Sequence, residues 1–199
     1  MKVAIIKYNA GNIMSVDYAL QRLGIMATIT DDPDLIREAD RVIFPGVGEA
    51  STTMKFLRER KLDRLIAELK QPVLGICLGL QLMCRHSEEG DTPCIGIFNE
   101  NIRKFPVTIS PENRLKVPHM GWNTVYGLKS SLFDGGLENQ YAYFVHSYYA
   151  TTGAETIALS DYGITFSAAL QRDNFYATQF HPEKSGHAGS IIIKNFLEL

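Results

Sequence analysis

Residues 73–84 read VLGICLGLQLMC. A short apolar run enters Gly75-Ile76-Cys77-Leu78-Gly79 without a polar residue to mark a change of structure. Pro72–Ile76 has the length and composition of a buried strand, and a helix is predicted from Leu78 onward. A thiol therefore stands between two glycines where a strand becomes a helix. The pattern has the form of the Gly-x-Ser-x-Gly elbow, in which a sharp turn lifts a nucleophile above the edge of a sheet. Flanking glycines let the backbone pass closely without Cβ clashes. The helix start aims free N–H groups and a positive dipole end at the sulfur, favouring thiolate. A buried core cysteine after a strand is the plainer alternative.

Working outward, apolar runs at 2–8, 26–30 and 41–44 predict three further strands. Helical spacing of Ile13, Val16, Leu20 and Leu23, with Gly24 as a stop, predicts a helix over 12–24. Pro33 opens a short helix over 33–39, and residues 51–70 read as one long amphipathic helix. Strand–helix alternation through residue 87 implies a parallel sheet. From about residue 94 to 180, short β-like runs are punctuated by Gly, Pro and Asn, which predicts hairpins or an antiparallel extension. A helix over 186–199 closes the chain. The expectation is a single α/β domain over residues 1–199, with function at the carboxyl ends of the parallel strands.

Bulk properties narrow the function classes. A 199-residue chain with 45% hydrophobic residues can bury one real core. A net charge of −2 argues against a nucleic-acid surface, and the basic run Lys55–Arg64 alternates with acids as a solvated helix face does. No apolar run approaches the ~18 residues that would span a membrane, and the first apolar stretch is too short for a signal peptide. Three cysteines, Cys77, Cys84 and Cys94, predict reduced thiols in the cytoplasm. Their spacing matches no zinc pattern, so no metal is expected. Cys84 reads as core packing beside Leu80 and Met83.

A nucleophilic cysteine needs a base, and the base needs an orienting acceptor. Of His86, His119, His146, His181 and His187, only His181 has a carboxylate at a useful short offset, in QFHPEKSG. In an extended segment His181 and Glu183 share one side, and Pro182 keeps the backbone out of a helix. Acyl transfer also needs donors for an oxyanion. In Pro45-Gly46-Val47-Gly48, glycines either side of Val47 allow its N–H to turn toward the site, although a plain strand-end turn reads equally well. The Leu78 N–H at the helix start is the second candidate donor.

In this order and at these distances, GICLGLQ, QFHPEKSG and PGVG resemble the class I (triad) glutamine amidotransferases. PHMGWN (118–123), FVHSYY (144–149) and the opening YNAGN point within that family to the glutaminase branch serving imidazole glycerol phosphate synthase in histidine biosynthesis. Leu80 stands where Met or His is common in such elbows, and Asn9 where Gly is frequent. The resemblance implies a flavodoxin-like fold with a mixed, mostly parallel central sheet, flanking helices and an antiparallel extension. It implies that Cys77, His181 and Glu183 hydrolyse glutamine through a thioester, with no cofactor. It implies that Gly48, Gln81, Ser147 and Tyr148 hold glutamine; Gln81, one turn past Cys77, can face the same pocket. It also implies a heterodimer with a (β/α)8-barrel cyclase subunit that receives ammonia through a channel. Pro118, Met120 and Trp122 are interface candidates, with a core tryptophan as the equal alternative, and Tyr143 and Lys184 follow from family position. Other readings stay open: a subunit feeding anthranilate or aminodeoxychorismate synthase, a cysteine hydrolase or redox sensor on the same sheet, or a catalytically dead scaffold.

Overall fold

The computed structural model describes residues 1–8, 12–110 and 113–199. The first half alternates as the apolar runs predict: β1 (Val3–Ile6), α1 (Ile13–Arg22), β2 (Ala27–Thr30), α2 (Pro33–Arg37), β3 (Arg41–Phe44), α3 (Ala50–Glu59), α4 (Leu62–Glu68), β4 (Val73–Ile76) and α5 (Leu78–Met83). The second half is strand-rich: β5 (Asn101–Lys104), β6 (His119–Val125), β7 (Gln140–His146), β8 (Tyr148–Ala150), β9 (Thr156–Asp161), β10 (Thr165–Arg172) and β11 (Phe175–Thr178). Helix α6 (Gly186–Glu198) closes it.

The main sheet is mixed. Strands β2, β1, β3, β4 and β11 run parallel in that spatial order. Beyond β11 the sheet turns antiparallel through β10 and β8 to β5. Strands β6 and β7 form a separate antiparallel ribbon. Alternation along each parallel strand sends Val3 and Ile5 toward α1 and α6, and Ala4 and Ile6 toward α3, α4 and α5. All four residues of β4 are buried, as a central parallel strand requires.

Two expected elements differ. Residues 51–70 fold as two helices, not one, with Lys61 in left-handed backbone (φ 58°) between them. At 100° per residue, the apolar positions Leu62, Leu65, Ile66 and Leu69 lie roughly 100° around from Met54 and Leu57. One straight helix could not bury both sets; the break re-aims the second. The helix after Cys77 ends at Met83, earlier than the apolar run suggests, because Cys84 returns to extended backbone (φ −73°, ψ 179°).

The elbow glycines are explained by what a side chain would strike. A Cβ at Gly79 would collide with the Phe44 carbonyl oxygen at the end of β3. A Cβ at Gly75 would sit 2.7 Å from Met83 Sδ and 3.0 Å from the Gly79 carbonyl carbon. Both glycines therefore bring α5 down onto β3 and β4. Gly79→Ala should lower stability by on the order of 1–3 kcal/mol through overpacking, although helix propensity alone favours alanine by about 1 kcal/mol. Urea unfolding checks this; a midpoint at or above wild type would contradict the packing argument.

Candidate active site

Cys77 caps α5 with φ 53° and ψ −103°, a conformation that strains any residue with a Cβ. Three backbone hydrogen bonds hold it. The Cys77 N–H donates to the Thr178 carbonyl (2.8 Å), the Leu78 N–H to the Gly46 carbonyl (3.2 Å), and the Gln81 N–H to the Cys77 carbonyl (3.2 Å). The neighbouring strand β11, the loop after β3 and helix α5 thus fix the turn together. The sulfur accepts from Gln179 Nε2 at 3.6 Å and faces the Val145 carbonyl at 3.9 Å.

His181 follows β11, and its main chain is clamped on both sides. Its N–H donates to the Tyr143 carbonyl (2.9 Å), and its carbonyl accepts from Ser185 Oγ (2.6 Å). Nδ1 donates to Glu183 Oε1 at 2.8 Å, with both side chains buried. The same carboxylate oxygen accepts from Asn12 Nδ2 at 2.7 Å. This fixes the orientation of the ring and leaves Nε2 without a hydrogen-bond partner among the described residues. Burial alone would lower the pKa of His181. The negative charge of Cys77, followed by the hydrogen bond and charge of Glu183, outweighs it and raises the imidazole to about 10. Tyr8, whose hydroxyl donates to the Pro45 carbonyl, is pushed beyond the usual phenol range by burial and by the Cys77 charge.

The cavity in front of Cys77 has a volume of about 260 Å³. That is below the roughly 300–1,000 Å³ of drug-sized sites and suits a metabolite the size of one amino acid. Val47, Gly48, Leu78, Gln81, Ser147 and Tyr148 all line it, so the residues named from the sequence converge on one space. Gln81 is buried and does not point freely into it: its Nε2 donates to the Tyr148 carbonyl (3.0 Å) and to Gln179 Oε1 (3.2 Å). Pro118, expected at a partner surface, also lines this cavity. Met120 and Trp122 are exposed on β6, where Trp122 meets Tyr143 edge-on across the ribbon at 6.0 Å between centroids. Lys184 is exposed beside His181.

The two expected oxyanion donors are not both available in this state. The Leu78 N–H is engaged by the Gly46 carbonyl. In a planar trans peptide that carbonyl and the following N–H point in opposite directions. With the Gly46 carbonyl turned toward α5, the Val47 N–H is turned away from it. Gly48, at φ 140°, supplies backbone that other residues rarely adopt.

Sequence reasoning missed several lining or supporting groups, Glu89 and Gln179 among them. Glu89 lines the cavity, with its Oε2 accepting from the Ala50 N–H at 2.8 Å, and partial burial raises its pKa. Nothing local marks it, since its partner is the start of a helix far away in sequence. Gln179 is wholly buried. It directly follows β11, and only the pairing of β11 with β4 brings its amide to the Cys77 sulfur, so nothing local marked it.

Among the described residues, no group of three or more His, Cys, Asp or Glu side chains could hold a metal, and no helix is long and apolar enough to cross a membrane. Cys84 and Cys94 donate to the Leu80 and Thr92 carbonyls, and no cysteine forms a disulfide. Of the YNAGN segment, Tyr8 and Asn12 contribute as above; Asn9 lies outside the described residues.

The chain is similar over its whole length to curated proteins. It is 63% identical over 199 residues to the imidazole glycerol phosphate synthase subunit HisH of Bacteroides fragilis, with all of both chains covered. It is 45% identical to the protein of that name from Haemophilus influenzae, covering 100% of this chain and 98% of the relative. A crystal structure of a glutamine amidotransferase superposes with a TM-score of 0.75 at 18% identity, covering 100% and 98% of the two chains. A glutamine amidotransferase from Thermotoga maritima gives 0.65 at 15%, covering 100% and 83%. These structures share the fold. The family model for class I glutamine amidotransferases matches residues 5–199, and the chain belongs to that family.

Proposed function

We propose that this chain is the glutaminase subunit of an imidazole glycerol phosphate synthase, and that Cys77, His181 and Glu183 carry its chemistry. The observation that carries the reading is the strained Cys77 elbow facing a cavity of amino-acid size, beside an imidazole held by a buried carboxylate. The Cys77 thiolate attacks the side-chain amide carbon of glutamine. His181, already protonated, gives its proton to the departing ammonia as the C–N bond breaks. Water, deprotonated by His181, then cleaves the glutamyl thioester and releases glutamate with the thiolate restored. Glu183 holds the imidazole in register, and Asn12 holds Glu183. Glu89 offers the cavity's carboxylate to the substrate α-ammonium, while Gly48, Ser147 and the Tyr148 backbone flank the substrate, and Gln81 braces that wall.

Ammonia is largely protonated in neutral water, and ammonium is no nucleophile. A glutaminase that serves synthesis therefore hands ammonia directly to its consumer, here a separate (β/α)8-barrel cyclase in the cytoplasm that makes imidazole glycerol phosphate and an aminoimidazole carboxamide ribotide. The exposed Met120 and Trp122, with Tyr143 and Lys184 beside the His181 loop, form the docking face in this reading. Docking is coupled to a turn of the Gly46–Val47 peptide, which would free the Leu78 N–H and bring the Val47 N–H round as the second oxyanion donor. The rival chorismate-linked partner is separated by co-purification: a barrel cyclase supports this reading, and a chorismate enzyme overturns it.

Glutamine hydrolysis is expected only in the mixture with the cyclase and its nucleotide ligand, and Cys77→Ala should abolish it; activity surviving that substitution would end the proposal. Glu89→Gln removes a charge-assisted contact and should raise KM for glutamine ~10–100-fold with a smaller change in kcat, as steady-state kinetics would show. The His181 imidazole should hold its proton from acid to neutral pH and lose it near pH 10, whereas in Cys77→Ala the loss should shift toward the ordinary histidine value of 6.5. Ring 15N shifts read this directly. By linkage, the stability that this proton contributes is full below pH 6.5 and is lost as pH rises through about 10.

A further inference from the structure

His119 and His146 face each other in register across the β6–β7 ribbon and are both buried. Neither touches the catalytic imidazole by a hydrogen bond, yet His146 lines the cavity between Val145 and Ser147. His119 Nδ1 lies 3.0 Å from His146 Nε2, and His146 Nδ1 lies 2.8 Å from the Tyr148 carbonyl. His119 Nε2 is 3.3 Å from Asn123 Nδ2, which also donates to the Asp161 carbonyl at 2.8 Å.

One carbonyl fixes every proton in this chain. The Tyr148 oxygen can only accept, so His146 carries its hydrogen on Nδ1 and, being neutral, accepts at Nε2. His119 must then donate from Nδ1 and accept at Nε2, where the Asn123 amide supplies the hydrogen. Burial supports neutrality, lowering His119 to about 4 and His146 to about 3. The Tyr148 carbonyl also receives Gln81 Nε2, which donates in turn to Gln179, whose own Nε2 meets the Cys77 sulfur. The polar chain thus runs unbroken from β6 to the nucleophile.

We propose that His119 and His146 are positioning residues: a one-directional pair of neutral imidazoles that sets the cavity wall at residues 145–148 and, through Tyr148 and Gln81, the seating of Cys77. This rests on the glutaminase reading of the same cavity. The wall matters because the Val145 carbonyl faces the sulfur and Ser147 flanks the substrate space. The opposite face of β6 presents Met120 and Trp122 to solvent, so the chain ties the cavity wall to an outward-facing strand.

A purely structural role predicts something different. His119 is sandwiched between Phe144 (4.9 Å) and Tyr162 (4.1 Å) in stacked geometry, which phenylalanine would preserve. The asparagine amide overlays imidazole Nδ1, so His119→Asn keeps the donor to His146 while losing the stack. Expected results are Nδ1–H tautomers for both rings in 15N spectra of the full-length chain, and a folded His119→Phe whose complex shows a KM for glutamine raised on the order of tenfold. Recovery of most of that loss in His119→Asn completes the expectation. An Nε2–H tautomer on either ring, wild-type kinetics in a folded His119→Phe, or equal loss in both variants would overturn it. If the wild-type complex hydrolyses no glutamine, the glutaminase reading fails. The spectra then still decide whether the hydrogen-bond chain itself exists.

Discussion

The left-handed turn at Cys77 is the constraint on which the rest of the site depends. A cysteine at φ 53° persists only because three neighbouring segments claim its backbone groups and because Gly79 lets α5 descend onto the Phe44 carbonyl. The strain is offset by those hydrogen bonds and by the packing of α5 onto β3 and β4, and its consequence is chemical. The sulfur is lifted to the rim of the parallel strands, where β11 delivers His181 and the β6–β7 ribbon delivers the opposing wall. Strand order explains the meeting: β4 and β11 are hydrogen-bonded neighbours, so the residues that follow them emerge side by side.

The hydrogen bond from the Leu78 N–H to the Gly46 carbonyl gives the site its second character. The His181–Glu183 pair is in place, with the ring oriented and its proton held firmly, while the Leu78 N–H, the expected donor for a developing oxyanion, is engaged by the protein itself. In the proposed mechanism, stabilisation of the tetrahedral state is withheld until that donor is freed. A glutaminase that must not release ammonia idly is well served by that division, because the withheld part can be restored by turning one peptide between two glycines.

What the sequence made legible was local. The elbow and most of the strand–helix alternation are set by residues within a few positions of one another, and they appear where expected. His181 and Glu183 also meet, but not across an extended segment: Pro182–Lys184 is a turn of 3-10 helix, which proline tolerates at its first position, and that turn folds Glu183 back onto the imidazole. What it hid was long-range. Glu89 enters the cavity because its carboxylate also caps α3, and Asn12 reaches Glu183 from the start of α1. The His119–His146 pairing exists only once β6 and β7 are in register. The split of residues 51–70 was legible in principle, since the apolar positions drift around the helix, but a window that counts only spacing averages the drift away. The occupied Leu78 N–H could not be read at all: glycines announce that a peptide can turn, not which way it rests.

The account stands most directly on which sulfur reacts. Treating the intact complex with a diazoketone analogue of glutamine, followed by peptide mass analysis, asks this without assuming any rate. A single adduct on Cys77, suppressed by excess glutamine, is the result the account predicts. Modification of Cys84 or Cys94 instead, or an unmodified Cys77 in a complex shown to bind the analogue, would contradict it.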